Sequence, residues 1–292
     1  MSALPKISVI TPSFNSIHTI RETLESVRSQ DYPHVEHIVM DGGSKDGTVE
    51  LLKEFPHLRW VSEKDEGHYH AMNKGIQAAT GDVIQILNSD DCLRPGALSI
   101  VGRAFAQHPD WDGLFGDTVF IDGKSQEIYR REEAVWDYNV MRFSRVGYAI
   151  HPAIFVRKAV HDRVGLYQYK KFINGCDFAF MLELGRSKCR MGHVNALLVN
   201  YRYHEYGQSA DQRVVNNTRR EVNLICEEHG ASSGAVGKVQ RAVYRAKRQF
   251  QKLVHRGKCD LMPGTWALRK HVKGSTSFES NIPQERFSSA GK

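Results

Sequence analysis

Short apolar runs alternate with segments of helical periodicity through the first hundred residues, and this alternation restricts the chain to few folds. Residues 7–11 (ISVIT) predict a buried strand, and apolar residues then recur at helical spacing between positions 17 and 27. The pattern repeats, with strands predicted at 37–40, 58–61 and 83–87 and helices at 48–55 and 68–79. Repeated strand–helix units predict an α/β fold, a mostly parallel sheet with helices on both faces.

Polar turns follow three of these strands. They are Pro12–Asn15, Asp41–Ser44 and Asn88–Asp91. Ligands of open α/β sheets bind beyond the carboxyl ends of the strands. These turns are therefore the first candidates for a binding site, on their position alone.

The pattern changes after about residue 110. Residues 114–121 and 126–130 flank Asp122-Gly123 and predict a hairpin. Further strands are predicted at 148–156 and 197–203, and further helices at 176–184 and 211–228.

A stretch rich in Gly and Ser at 230–234 predicts a linker. We therefore expect one domain over residues 1–229, with a change of character near residue 110 that separates two halves, about 6–110 and 111–229. Residues 230–292 are expected to form a C-terminal basic helix followed by a tail of disordered composition.

The net charge of +7 is distributed unevenly along the chain. Residues 1–237 contain 27 basic and 30 acidic side chains, whereas residues 238–292 contain 13 and 3. The body is thus mildly acidic, which is not typical of proteins that bind nucleic-acid backbones. We expect no nucleic-acid partner, and we attribute the basic charge to the C-terminal segment.

The cysteines and the apolar runs indicate a cytoplasmic protein. Five widely spaced cysteines without a CxxC motif argue against both a disulfide framework and a zinc site. No apolar run reaches the length of about 18 residues that a membrane-spanning helix needs. The first residues also contain no apolar run of signal-peptide length.

Two adjacent carboxylates, Asp90 and Asp91, follow the predicted strand at 83–87. Such a pair suits Mg²⁺ or Mn²⁺, which commonly bridge protein carboxylates to a diphosphate. The alternative is a polar turn in which an aspartate caps the next helix. The Gly-rich loop 41–48 permits close approach to a ligand, but on its own the pattern favours a simple tight turn.

Four motifs in series carry a resemblance to a known family. They are ISVITPSFN at the start, DGGSKDGT after the second strand, SEKDEGHYHAMNKGIQAATGD, and VIQILNSDD. Together they resemble the nucleotide-sugar-binding half of family 2 glycosyltransferases, which have the Rossmann-like GT-A fold, and the likeness extends over roughly residues 6–210. The resemblance is to bacterial enzymes of polysaccharide or lipopolysaccharide biosynthesis.

The resemblance implies a nucleotide-sugar site and a divalent metal. The DxD position of the family is occupied by Asn88-Ser89-Asp90, so Asp90 is the implied first metal ligand and Asp91 the second. Asn88 is expected to contact the ribose or a metal-bound water. Asp41 is expected to accept a hydrogen bond from the base, uracil in a UDP-sugar. The full set of implied nucleotide-sugar contacts is Thr11, Pro12, Ser13, Asn15, Asp41, Gly43, Asp65, Lys74, Asn88, Ser89 and Asp90.

The resemblance also implies a catalytic base. Asp177, at the start of the helix predicted at 176–184, matches the carboxylate that removes the proton from the acceptor hydroxyl. Relatives often carry a second acid just before it, where this chain has Cys176. Without the family, Asp177 would be read as a carboxylate favoured by a helix N-terminus.

Several histidines are weaker candidates. His204 is either a metal or diphosphate contact or a surface residue, and His151 is assigned to the acceptor side. His70 stands where relatives often have Asp. His68 and His70 are not predicted to bind a metal together, because residues two apart face different sides of a helix.

The segment 236–256 combines apolar residues at helical spacing with seven cations and no acid. This pattern predicts a helix lying on an anionic membrane surface. The alternatives are a packed helix with a solvated cationic face and a nucleic-acid arm, which has no interleaved aromatic residues in its favour.

The sequence thus predicts an inverting glycosyltransferase, peripheral at the inner face of the membrane. Its expected donor is a UDP-sugar, its cofactor Mn²⁺ or Mg²⁺, and its acceptor a glycan that is lipid-linked. The competing hypotheses are a nucleotidyltransferase that makes a nucleotide-sugar and a non-enzymatic, basic-tailed nucleic-acid-binding protein.

Overall fold

The computed structural model describes residues 3–204 and 211–256. Its strands are β1 (Ile7–Ser13), β2 (Val35–Asp41), β3 (Arg59–Ser62), β4 (Val83–Ile86), β5 (Cys92–Leu93), β6 (Gly113–Ile121), β7 (Glu127–Arg131), β8 (Ile154–Arg157) and β9 (Met191–Arg202). Its helices are α1 (Ile20–Arg28), α2 (Thr48–Leu52), α3 (His68–Ala78), α4 (Ala97–Gln107), α5 (Tyr138–Ser144), α6 (Lys158–Val164), α7 (Cys176–Arg186), α8 (Gln212–Glu228) and α9 (Gly234–Arg256).

The strands form one sheet in the order β3-β2-β1-β4-β8-β6-β9-β5, with β7 paired to β6. The first four strands of this order are parallel, as the alternation of strands and helices predicts. β1 is buried along its whole length, which is usual for a parallel strand covered on both faces. The carboxyl ends of β1, β2 and β4 therefore lie at one edge of the sheet.

β1 is longer than predicted, because Pro12 and Ser13 continue the strand instead of opening the turn. They pair with Met40 and Asp41 of β2. The pairing of β1 with β4 ends at Ile10. Pro12 has no N–H to donate, and on the side of β4 no hydrogen bond is required from it.

The second half of the sheet brings antiparallel strands to the same edge. β8 runs antiparallel to β4, so the start of β8 lies beside the end of β4. The side-chain amide of Gln85 donates to the carbonyl of Pro152 at 2.9 Å and ties the two together. The predicted strand over 148–156 is wrong before Ile154, because a 3₁₀ turn at His151–Ala153 contains Pro152, which cannot donate to a ladder.

Close packing fixes the position of α3 over the sheet. A Cβ at Gly75 would lie 2.3 Å from Cγ2 of Ile10, so only glycine lets this helix approach β1 so closely. The N-terminus of α3 is thereby held at the edge where β1 and β2 end.

Helix α9 packs against α5, where the rings of Tyr244 and Phe143 are in contact, and its cations reach two buried acids outside α5. Arg256 donates to both carboxylate oxygens of the buried Asp117, at 2.8 and 2.6 Å. Arg248 and Lys252 pair with Glu133, which is also buried. Three of the cations expected to face lipid therefore face the body instead. Breaking such a buried pair from one side costs about 3–5 kcal/mol, so these contacts fix the rotation of the helix.

The described cysteines, Cys92, Cys176, Cys189 and Cys226, are all buried free thiols, while Cys259 lies outside the described residues. Among the helices of residues 3–204 and 211–256, none combines the length and the apolar character needed to span a membrane.

Candidate active site

Asp41, at the end of β2, organises the Gly-rich loop that follows it. Its Oδ2 accepts hydrogen bonds from the backbone N–H of Gly43 at 3.0 Å and of Ser44 at 2.9 Å, and from the hydroxyl of Ser62 at 2.6 Å. Its Oδ1 accepts from the Ser44 hydroxyl at 2.5 Å. Asp41 is almost fully buried. The carboxylate predicted to contact the base is thus engaged with its own loop, which takes a left-handed conformation at Gly43.

The turn after β1 interlocks with this loop. The backbone N–H of Asn15 donates to the Ser44 hydroxyl at 2.7 Å, and the Asn15 side chain accepts from the Lys45 N–H at 3.0 Å. Thr11 is buried against His37 and does not face the loop. The hydroxyl of Ser13 is buried and makes no hydrogen bond within the described residues, which leaves a polar atom available at the end of β1.

Asp65 lies directly against this loop. A Cβ at Gly42 would come within 2.8 Å of Asp65 Oδ2, so the missing side chain makes room for the carboxylate. The other oxygen of Asp65 accepts from the Gly67 N–H at 2.8 Å, at the start of α3. Lys74, in the middle of α3, is ion-paired with Glu63 at 2.9 Å.

The loop after β4 places its two aspartates differently. Asp91 is fully buried; its Oδ1 accepts from the Arg202 backbone N–H at 2.9 Å and its Oδ2 from the Asn88 amide at 2.9 Å. Burial raises the pKa of Asp91 well above its usual value, and the nearby charge of Asp90 adds to this shift. Ser89 bonds to Ser16 at 2.8 Å, which links this loop to the turn after β1.

Asp90 and His204 form the pair that could hold a metal ion. Asp90 Oδ2 lies 3.3 Å from His204 Nε2, and both side chains are partly exposed. The described part of the chain contains no cluster of three or more His, Cys, Asp or Glu side chains arranged for a metal. One carboxylate oxygen and one ring nitrogen nevertheless fit a divalent ion that takes its remaining ligands from a diphosphate and water. The two residues are 114 positions apart and are brought together by β9.

Asp177 occupies the first turn of α7, in a separate cluster. Its Oδ1 accepts a hydrogen bond from the Tyr69 hydroxyl at 3.2 Å and from the Phe178 N–H at 2.8 Å. The neighbouring Cys176 donates its thiol to the carbonyl of Phe172, and burial raises its pKa to about 12. Cys176 is therefore neutral, and Asp177 is the one acid of this turn.

Two histidines without charge lie near Asp177. Burial lowers the pKa of His68 to about 4, although the negative charge of Asp177 opposes the shift. Burial lowers the pKa of His151 as well. His151 Nε2 lies 2.6 Å from the Tyr167 hydroxyl. Near neutral pH both rings can form hydrogen bonds with a ligand but carry no charge.

The two clusters lie at one edge of the sheet. His151 precedes β8, whose start adjoins the end of β4 and hence the loop 88–91. His151 also lies close enough to Asp177 for the charge of the carboxylate to affect its pKa. α3 joins the clusters from the other side, since Asp65 precedes it and Tyr69 lies in its first turn.

Three residues of this region were not found from the sequence. Tyr69 contacts Asp177, and Glu221 of α8 accepts from the backbone N–H groups of Ile173, Asn174 and Gly175, just before α7. The buried Arg202 holds the carbonyl of Asp90 at 2.9 Å. Only Tyr69 had a local signal, its place in the HYH segment. The other two act across long sequence separations.

Replacing Tyr69 by Phe should lower turnover about tenfold, because Asp177 loses a hydrogen bond that orients it. Burial raises the pKa of Tyr69 well above its usual value, so the hydroxyl remains a donor throughout the working pH range. The measurement is kcat and donor KM at saturating acceptor, with Tyr138→Phe as the control, since Tyr138 bonds to His229 instead. An unchanged kcat would show that Tyr69 does not position the base.

Comparison with known proteins decides the family. Residues 8–165 match the family model described as Glycosyl transferase family 2, and this segment is more than half of the chain. The chain belongs to glycosyl transferase family 2. The resemblance carried by the four motifs is thereby confirmed.

Relatives of the chain match it over parts of their length. An uncharacterized glycosyltransferase of Mycobacterium tuberculosis is 47% identical over 94 residues, which are 31% of this chain and 36% of that protein. A PGL/p-HBAD biosynthesis glycosyltransferase of Mycobacterium bovis is 29% identical over 174 residues, 58% of this chain and 65% of that protein. The chain thus spans between about a third and just under two thirds of the length of these relatives.

Solved structures confirm the predicted GT-A fold. The chain is similar to S. aureus TarS 1-349 in complex with UDP-GlcNAc, with a TM-score of 0.62 over 85% of this chain and 73% of that one. It is also similar to a mannosyltransferase of Pyrobaculum calidifontis in complex with GDP-Man and Mn²⁺, with a TM-score of 0.56 over 95% and 77%. Sequence identity is 17% in both cases, so these similarities establish the fold alone.

Proposed function

We propose that the protein is an inverting glycosyltransferase that moves a sugar from a nucleotide-sugar to a hydroxyl group of a glycan. The observation that carries the proposal is the position of a single carboxylate, Asp177, at the same sheet edge as the Asp90–His204 pair. Family membership supports glycosyl transfer as the reaction class.

Inversion needs one base on the acceptor side and no nucleophile from the enzyme. Asp177 would take the proton of the acceptor hydroxyl while its oxygen attacks the anomeric carbon. The bond from that carbon to the diphosphate oxygen breaks, and the bonding electrons leave with the nucleoside diphosphate. Tyr69 would hold the carboxylate in place, and the neutral His68 and His151 would bind the acceptor without adding charge.

The leaving diphosphate needs positive charge. A divalent ion, Mn²⁺ or Mg²⁺, would supply that charge when bound, and Asp90 and His204 would hold it. Asp91 is the less suitable ligand, because both of its oxygens already accept hydrogen bonds. Lys74 is a further cation near this edge, although it is paired with Glu63.

The donor we propose is a UDP-sugar. TarS was determined with UDP-GlcNAc and the mannosyltransferase with GDP-Man, so proteins of this fold bind either nucleotide, and the TarS complex is the one that supports a uridine donor. In this chain the polar atoms at the ends of β1 and β2 would contact the nucleotide. They are the free hydroxyl of Ser13, the carboxylate of Asp65 and the backbone at Gly43.

The acceptor we propose is a lipid-linked glycan, with the enzyme peripheral at the inner face of the membrane. One relative is named as a PGL/p-HBAD biosynthesis glycosyltransferase, which supports a biosynthetic role for this chain. The basic segment 236–256 supports binding to an anionic membrane surface. Arg248, Lys252 and Arg256 do not contribute to this binding, because they form ion pairs within the protein.

A donor screen tests the proposal. Thermal unfolding should be measured with UDP-, GDP- and dTDP-sugars, each with and without Mn²⁺. We expect one UDP-sugar with Mn²⁺ to raise the melting temperature by several degrees, since a ligand at about a hundred times its Kd stabilises by about 2.7 kcal/mol. Stabilisation by a GDP-sugar alone would contradict the choice of nucleotide, and stabilisation by none would contradict the proposed function.

A further inference from the structure

Helix α9 is amphipathic, but it exposes its apolar side to solvent, which an ordinary surface helix does not do. The side that lies on the body carries Tyr244 and the ion-paired Arg248, Lys252 and Arg256, and most of the apolar residues of the helix lie on the other side. A surface helix usually buries its apolar stripe instead. Six large apolar side chains on the other face are between 48% and 66% exposed. We call them the α9 stripe: Val236, Val239, Val243, Phe250, Leu253 and Val254.

The α9 stripe is continuous. Its members recur mostly at three- and four-residue intervals, which place them on one side of a helix. The exposed alanines Ala235, Ala242 and Ala246 fill the spaces between them. From Val236 to Val254 the helix rises about 27 Å. An exposed apolar surface of this extent marks an interaction site.

The fold itself keeps the α9 stripe exposed. Turning the helix to bury it would withdraw Arg256 from Asp117, and Arg248 and Lys252 from Glu133. Both acids are buried, so each would be left as an unpaired charge in the interior. The apolar side of α9 is therefore available to an external partner.

We infer that the α9 stripe inserts into the interfacial region of an anionic lipid membrane. Cations border it on both sides. Lys238 and Arg245 are exposed along one border, and Lys247, which is half-exposed and ion-paired with Asp137 at 2.8 Å, lies along the other. The helix contains no acidic residue. An apolar stripe with cationic borders is suited to lipid headgroups of negative charge.

Charge complementarity favours lipid over a second copy of the chain. If two copies met through their α9 stripes, the cationic border of one helix would face the cationic border of the other, and the like charges would repel. An anionic surface instead attracts both borders. The inference rests on the peripheral location in the proposed function and specifies the surface that makes the contact, which is built from none of the active-site residues.

Vesicle binding of the full-length protein tests the inference. The comparison is between the wild type and Val243→Ser/Phe250→Ser, with Leu224→Ser of α8 as the control for losing an exposed apolar side chain elsewhere. Flotation should use phosphatidylcholine vesicles with and without about 30% phosphatidylglycerol. We expect the double variant to bind the anionic vesicles at least about tenfold more weakly, and the control to bind as the wild type does. Binding of the wild type should also weaken on neutral vesicles.

Three outcomes would overturn the inference. One is unchanged vesicle binding by the double variant. The second is a wild-type dimer in lipid-free sedimentation that the double variant converts to a monomer, which would assign the stripe to a second copy. The third is a double variant that still binds vesicles but unfolds at a temperature several degrees lower than the wild type. That result would show that another segment of the same chain packs on the stripe. Donor binding is measured in parallel and should not change, so a failure here is distinct from a failure of the proposed function.

Discussion

Replacing Asp177 by Asn should lower turnover by about a thousandfold while leaving donor binding unchanged. Asparagine keeps the shape of the side chain and can still bond to Tyr69, but it cannot take the proton of the acceptor hydroxyl. The neighbouring thiol cannot replace the carboxylate, because burial raises the pKa of Cys176 to about 12. The measurements are kcat with a glycan acceptor and calorimetric affinity for the donor.

Glu183→Gln is the matched control for this change. Glu183 lies in the same helix, α7, and pairs with Arg186 and His229, away from the Tyr69 contact. We expect it to retain nearly full activity. Full activity of Asp177→Asn would refute the assignment of the base, whereas equal losses of donor affinity and turnover would assign Asp177 to donor binding.

Replacing Asp90 by Ala should reduce turnover about a hundredfold and raise the Mn²⁺ concentration that gives half-maximal activity. Without Asp90 the divalent ion would be held less tightly, and its positive charge would no longer stabilise the negative charge that develops on the departing diphosphate. His204→Ala should shift the metal response in the same direction, since its Nε2 lies 3.3 Å from Asp90. The measurement is activity as a function of Mn²⁺ concentration.

Asp91→Ala is the comparison that separates metal binding from folding. Asp91 is buried and accepts from the Arg202 N–H and the Asn88 amide. Its removal should therefore lower the free energy of unfolding by about 1–3 kcal/mol, because these donors would be left unsatisfied. If Asp91→Ala changed the metal response more than Asp90→Ala did, the roles of the two aspartates would be reversed.

The loops of the site were predictable because their signals are local. A buried strand followed by a polar turn places that turn at a sheet edge whatever the rest of the chain does. This is why the segments at Asn15, Asp41 and Asp90 were found from the sequence. The direction of each side chain was not predictable, since Asp41 is engaged by its own loop and Thr11 by His37.

The order of the sheet beyond β4 could not be predicted in the same way. β8 adds antiparallel to β4, and this pairing is what brings His151 to the end of β4. A short strand after a proline-containing 3₁₀ turn has no distinctive periodicity. Contacts such as Glu221 with residues 173–175 depend on packing between distant segments, for which no local pattern exists.

The sequence by itself determined the α/β class, the family and the three loops of the candidate site, because strand and helix periods and short motifs are properties of neighbouring residues. It also determined that the helix at 236–256 has an apolar and a cationic side. Only the tertiary structure decided which side faces the body. Asp117 and Glu133 are buried acids that require cations, so they draw Arg248, Lys252 and Arg256 inward and leave the α9 stripe exposed to solvent.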